Sequence, residues 1–119
     1  MIPYTKKTLP NGLTVVVNRD RVSKLAAVNI LYKVGARNEN PARTGFAHLF
    51  EHLMFRGTRE VPNFDLPVQM ASGDNNAFTN NDYTDFYITL PKDNLETALW
   101  LESDRMEGLD ITPAKLEAE

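Results

Sequence analysis

Apolar residues recur along this chain in short runs, and their period shifts between two and nearly four. Leu13 to Val17 is a β-branched run that follows the turn-forming Leu9-Pro10-Asn11-Gly12, so it reads as a strand. Asn18 to Lys24 is polar and reads as a connection. From Ala26 to Val34, the residues Val28, Ile30, Tyr32 and Val34 share one face at strand period. This predicts a second strand, paired with the first. Gly35 ends it, and a polar stretch from Arg37 to Arg43 follows.

The period then becomes helical. Gly45 to Phe55 contains no proline, with Thr44 as the expected N-cap and Gly57 as the expected C-cap. Phe64 to Ala71 predicts a shorter helix, provided that Pro67 lies in its first turn. Asn75 to Thr79 and Thr84 to Leu90 read as strands around the polar turn Asn80-Asn81-Asp82. Asn94 to Met106 predicts a helix with Leu95, Leu99 and Met106 inward and Glu96, Glu102 and Asp104 outward. Tyr83, Phe86 and Tyr87 read as core or edge packing, and Glu102, Glu107 and Glu117 as surface charges. Thr112-Pro113 opens a last helix, with Thr112 as cap, that is expected to continue past Glu119. The order strand, strand, helix, helix, strand, strand, helix, helix predicts an α+β domain. Its mixed or antiparallel sheet would carry helices packed on one face.

Composition narrows the function. The 119 residues fit one domain or a piece of one, and 42% hydrophobic with 24% charged content is ordinary for a soluble globular chain. A net charge of −3 without a basic cluster disfavours nucleic acid and anionic membranes as partners. The absence of cysteine excludes disulfides, thiolate metal sites and thiol nucleophiles. No apolar run approaches the roughly 20 residues of a membrane span, and the first residues lack the apolar segment of a signal peptide. Bacterial cytoplasm and periplasm both stay open as compartments.

The two histidines of the chain both fall in His48-Leu49-Phe50-Glu51-His52. On a helix, positions four apart lie one above the other, so His48 and His52 can aim ring nitrogens at one ion. Glu51 flanks the same face and can take a proton from a water bound there. A lone helical histidine is usually a surface or core residue. A pair with a glutamate between them is a catalytic metal pattern.

The surrounding sequence resembles the pitrilysin, insulinase and mitochondrial-processing-peptidase family of inverted-motif zinc metallopeptidases, its bacterial members in particular. Leu9-Pro10-Asn11-Gly12-Leu13, Val34-Gly35-Ala36-Arg37-Asn38-Glu39, the run from Gly45 to Thr58, Asn75 to Thr79 and Glu102 to Met106 carry the resemblance in order. It implies an endopeptidase that hydrolyses extended peptides, with zinc held by His48 and His52 and Glu51 as general base. The family's third ligand, a glutamate about 74–76 residues beyond the second histidine, would fall at about 126–128. Residues 1–119 are therefore expected to be the N-terminal part of a catalytic domain, inactive alone and completed by a second homologous domain or partner chain. Glu119 matches an auxiliary acid seven residues before that ligand, or is a solvated glutamate. Asn76 and Ala77 correspond to an edge strand that pairs with substrate. On the residues alone they are a short strand beside a polar turn. A non-catalytic family subunit and a metal-binding module are the alternative functions. The intact His48, Glu51 and His52 argue against the first, and the retained Glu51 alone separates the second from a peptidase.

Overall fold

The computed structural model describes residues 1–119. Its elements in chain order are strands β1 (Thr5–Thr8), β2 (Thr14–Val17) and β3 (Leu25–Tyr32), helices α1 (Phe46–Leu53) and α2 (Asp65–Met70), strands β4 (Asp74–Thr79) and β5 (Thr84–Pro91), and helices α3 (Leu95–Glu107) and α4 (Pro113–Glu117). The fold is α+β, as the pattern predicts.

The first pairing differs from expectation. β2 pairs with β1, in a hairpin that sets Thr5 opposite Val17 and Thr8 opposite Thr14. The cause lies in the Leu9-Pro10-Asn11-Gly12 turn. Gly12 takes a φ of +90° and donates to the Leu9 carbonyl at 2.9 Å, so the turn closes back onto the preceding residues. β1 (Thr-Lys-Lys-Thr) is exposed throughout and carries no apolar alternation that would announce it. β3 pairs instead with β5, with Val28 opposite Ile88, and the second sheet runs β3-β5-β4, all antiparallel.

One face of that sheet makes the core. Phe86, Ile88 and Leu90 of β5 and Val28 of β3 pack with Val61, Phe64, Val68, Ala71, Ala98 and Leu101 from the helical side. The helices therefore cover a single face. Pro67 lies in the first turn of α2, where its missing N–H costs no helical bond. Phe86 is buried and Tyr87 exposed, as their alternation on β5 requires.

α3 is rotated relative to the expected face. Ala98, Leu101, Glu102 and Arg105 are buried, while Leu95, Leu99 and Met106 face outward. Glu102 is thus no surface charge. It forms a fork with Arg105, Nη2 to Oε1 at 2.6 Å and Nε to Oε2 at 3.0 Å. The guanidinium lies against Phe64, Phe86 and Phe55, a slot that offsets its burial through the ring faces.

Two glycines sit where nothing else fits. A Cβ on Gly35 would lie 2.4 Å from the Asn80 carbonyl oxygen, because Ala36 and Arg37 donate to the β4–β5 turn at 3.0 Å each. Gly57, at φ +90°, turns the chain beyond α1 rather than capping it. The helix ends at Leu53 with Met54 as its C-cap.

Candidate metal centre

α1 carries the His-Glu-His group, and its start is held from outside. Thr44 is not its cap. Gly45 occupies that place in a left-handed conformation, φ +93°, and has no side chain to offer. Glu39 does the capping. Its two carboxylate oxygens accept from the N–H groups of Gly45 and Ala47, each at 2.7 Å. A carboxylate there satisfies two orphan donors and sits at the positive end of the helix.

His48 and His52 project from the exposed side of α1, and their Nε2 atoms are 3.1 Å apart. His52 Nδ1 lies 2.9 Å from the Glu119 carboxylate. With Nδ1–H donating to Glu119, Nε2 of His52 is left with its lone pair facing His48. Glu51 is only 9% exposed and accepts a hydrogen bond from the Thr79 hydroxyl at the end of β4. Ligand atoms of His48, Glu51 and His52 lie within 4.8 Å of one another. The donor set suits zinc: two nitrogens about 2.0–2.1 Å from one ion are separated by close to the distance seen.

Glu119 reaches α1 from the end of α4, whose start is capped by the Thr112 hydroxyl accepting from Lys115 N–H at 3.2 Å. Arg56 Nε donates to the other Glu119 oxygen. Arg56 first and His52 second hold the Glu119 carboxyl below the ordinary carboxylate range. These groups, with Glu51, Phe55, Asp65 and Asn76, line a cleft of about 410 Å³. Across α1, Glu51 also borders an apolar cavity of about 480 Å³ lined by Tyr32, Phe46, Phe50 and Phe86.

Asn76 and Ala77 lie on β4, an edge of the sheet. Asn80 N–H donates to the Tyr83 carbonyl, which places the ladder bonds at positions 78, 76 and 74 and turns the N–H groups of Asn75 and Ala77 toward the open edge. Both are occupied locally. Ala77 N–H donates to Asn76 Oδ1 at 2.8 Å, and Asn75 N–H to Asp74 Oδ1 at 3.0 Å. Sequence reasoning missed Glu39, Arg56 and Thr79. Arg56 stands four residues after His52, a spacing that could have marked it. Glu39 had only a weak signal, an acid upstream of a helix whose cap position is glycine.

The profile of the family described as Insulinase (Peptidase family M16) matches residues 14–119. The chain belongs to that family. It is 38% identical over 107 residues to the zinc protease PqqE of Helicobacter pylori, covering 87% of this chain and 24% of that protein. It is 31% identical over 121 residues to the mitochondrial-processing peptidase subunit beta of Saccharomyces cerevisiae, covering 99% of this chain and 26% of that one. Among solved structures, a protease from Helicobacter pylori superposes with a TM-score of 0.90 at 34% identity, covering 97% of this chain and 28% of that one. Pitrilysin superposes with 0.78 at 27% identity, covering 86% and 11%. The chain spans about a quarter of the length of these curated insulinase-family relatives. The family is one of zinc metallopeptidases, and the His-Glu-His group of this member can bind that metal. No helix of the chain is long and apolar enough to cross a membrane.

Proposed function

We propose that His48 and His52 are zinc ligands here and that Glu51 is the general base of an endopeptidase acting on extended peptides. The observation that carries this is the approach of the two Nε2 atoms to 3.1 Å beside a buried carboxylate. A zinc ion held by His48 and His52 would supply Lewis acidity, which lowers the pKa of a bound water to about 7 and polarises a carbonyl. Glu51 takes the proton of the attacking water and delivers it to the leaving amine nitrogen. The Thr79 hydroxyl holds one Glu51 oxygen and leaves the other for that work. Glu119 fixes the ring and tautomer of His52, and Arg56 keeps Glu119 ionised.

A catalytic zinc site takes three protein ligands, and this chain brings two histidines to it. In this reading residues 1–119 are the N-terminal part of a catalytic domain. The third ligand, a glutamate, and the second half of the peptide chamber come from elsewhere in a longer protein or from a partner chain. The peptide lies along β4 at Asn76 and Ala77, exchanging main-chain hydrogen bonds with the outward-facing groups of Ala77 and Asn75 and meeting Asn76 through its side chain, a mode that tolerates many side chains.

Metal titration of the chain tests the first half. One Co²⁺ or Zn²⁺ site is expected, lost in His48→Ala and in His52→Ala and kept in Glu51→Gln. In the longer protein, Glu51→Gln should abolish peptide cleavage with zinc content intact. Unchanged turnover would refute Glu51 as base.

A further inference from the structure

We propose that Arg105, on a helix that contributes no ligand, is a positioning residue that fixes the C-terminal turn of α1 and thereby the relation of His52 to His48. The inference rests on the reading of those histidines as metal ligands.

Arg105 and Glu102 are 1% and 2% exposed. A buried ion pair gains little over apolar side chains of the same volume, because both charges must be desolvated. A use for the charge is therefore to be sought in what it touches besides its partner. Two of its contacts belong to the end of α1. Nη1 donates to the carbonyl of Met54, the helix C-cap, at 3.4 Å. The guanidinium also stacks 5.5 Å from the ring centre of Phe55, which lines the cleft together with His52.

The other contacts anchor the guanidinium to the core. It lies 4.0 Å from the Phe64 ring centre and 4.5 Å from that of Phe86, and both rings are buried. The fork to Glu102 fixes the plane of the group. A planar cation held on three sides presents its third nitrogen, Nη1, to the negative end of α1, where a positive charge is favoured. His52 stands two residues before Met54. A tilt of that last turn would move its ring against both His48 and Glu119. Metal affinity is sensitive to such displacements, because a chelating pair must be held near its bound geometry before the ion arrives.

Co²⁺ binding to the 119-residue chain provides the test, with the visible absorption of the bound ion reporting coordination geometry. Arg105→Lys keeps the charge and the Glu102 partner but loses the fork, the stacked plane and the reach to Met54. It should fold, bind Co²⁺ about tenfold more weakly and show an altered spectrum, a loss of the size seen for outer-shell changes. Arg105→Met, which fills the slot without charge, should do the same if it folds. Leu90→Ala serves as the control, since it opens a core cavity beside Gly73, four residues along β5 from the Phe86 that Arg105 lies against, and lowers stability. It should leave affinity and spectrum of the folded chain unchanged. Folded Arg105→Lys with wild-type affinity and spectrum overturns the inference, as does an equal loss in Leu90→Ala. A wild-type chain that binds no Co²⁺ sinks the metal-site reading and the positioning role with it, whereas binding that is insensitive to Arg105 removes the positioning role alone.

Discussion

The Glu39 carboxylate accepts a 2.7 Å hydrogen bond from the backbone N–H of Ala47, one residue before His48, the first histidine of the His-Glu-His group. The motif helix therefore begins under the control of a side chain outside it. Glu39→Ala would orphan two donors at the start of α1 and remove a negative charge from its positive end. We expect a loss of about 1–2 kcal/mol in urea unfolding, with Glu39→Gln falling between. Wild-type stability in Glu39→Ala would show that water replaces the carboxylate without cost.

Gly35 is the second backbone constraint near the site. Its substitution by alanine would push a methyl group to 2.4 Å from the Asn80 carbonyl oxygen, which is backbone and has no side-chain freedom to retreat. The expected penalty is about 1–3 kcal/mol, read from the unfolding midpoint. Gly108 has nothing within 4 Å of such a methyl, so alanine there is the matched control.

Much of this was legible from periodicity. The three strands of the larger sheet and the first three helices follow from apolar spacing, although the buried face of α3 does not. The last helix follows from its Thr112-Pro113 opening, and the His-Glu-His group from two histidines four residues apart. What was not legible has a common cause: charged side chains whose partners are remote in sequence. Glu102 and Arg105 look like solvent-facing charges until Phe55, Phe64 and Phe86 surround them. Glu39 looks like loop polarity until α1 is seen to need a cap. β1 was invisible for the opposite reason, since a strand with no buried face leaves no alternation to read.

Tyr32 gives a pH prediction. Its hydroxyl is buried without a hydrogen-bond partner, and burial first, then the Glu102 charge, raise its pKa above the ordinary 10.0, while Arg105 lowers it. The folded state thus keeps its proton where the unfolded chain has lost it. Stability should accordingly be unaffected by this group below pH 10 and fall as pH rises from there through the folded pKa. Phenolate absorbance should show Tyr32 ionising late, above its ordinary value. Tyr32→Phe should remove both the late titration and its share of the alkaline slope.

Ala77→Pro probes the edge of β4. The N–H it deletes points away from β5, so no ladder bond is lost and the sheet should survive, as far-UV circular dichroism would report. In the longer protease proposed above, the same change should impair peptide cleavage far more than zinc content. Equal losses of both would mean that the variant had disturbed α1 rather than a peptide contact.

Asn76→Ala leaves the Ala77 N–H without its local acceptor. An unpaired edge donor templates other strands, so the variant should self-associate at lower concentration than wild type in sedimentation experiments. An unchanged concentration dependence would show that Asn76 does not guard the edge.

In the peptide-binding role proposed for β4, its self-occupied edge has a consequence for recognition. A peptide arriving there does not meet vacant donors; it meets donors engaged by the side chains one position earlier, at Asp74 and Asn76. Docking in that role is an exchange of acceptors, in which each new main-chain bond replaces a local one and releases a side chain to swing aside. Such a surface discriminates by extendedness. Only a segment able to present carbonyls at both positions in register displaces both guards, while a compact or helical chain, its carbonyls already committed, has nothing to trade.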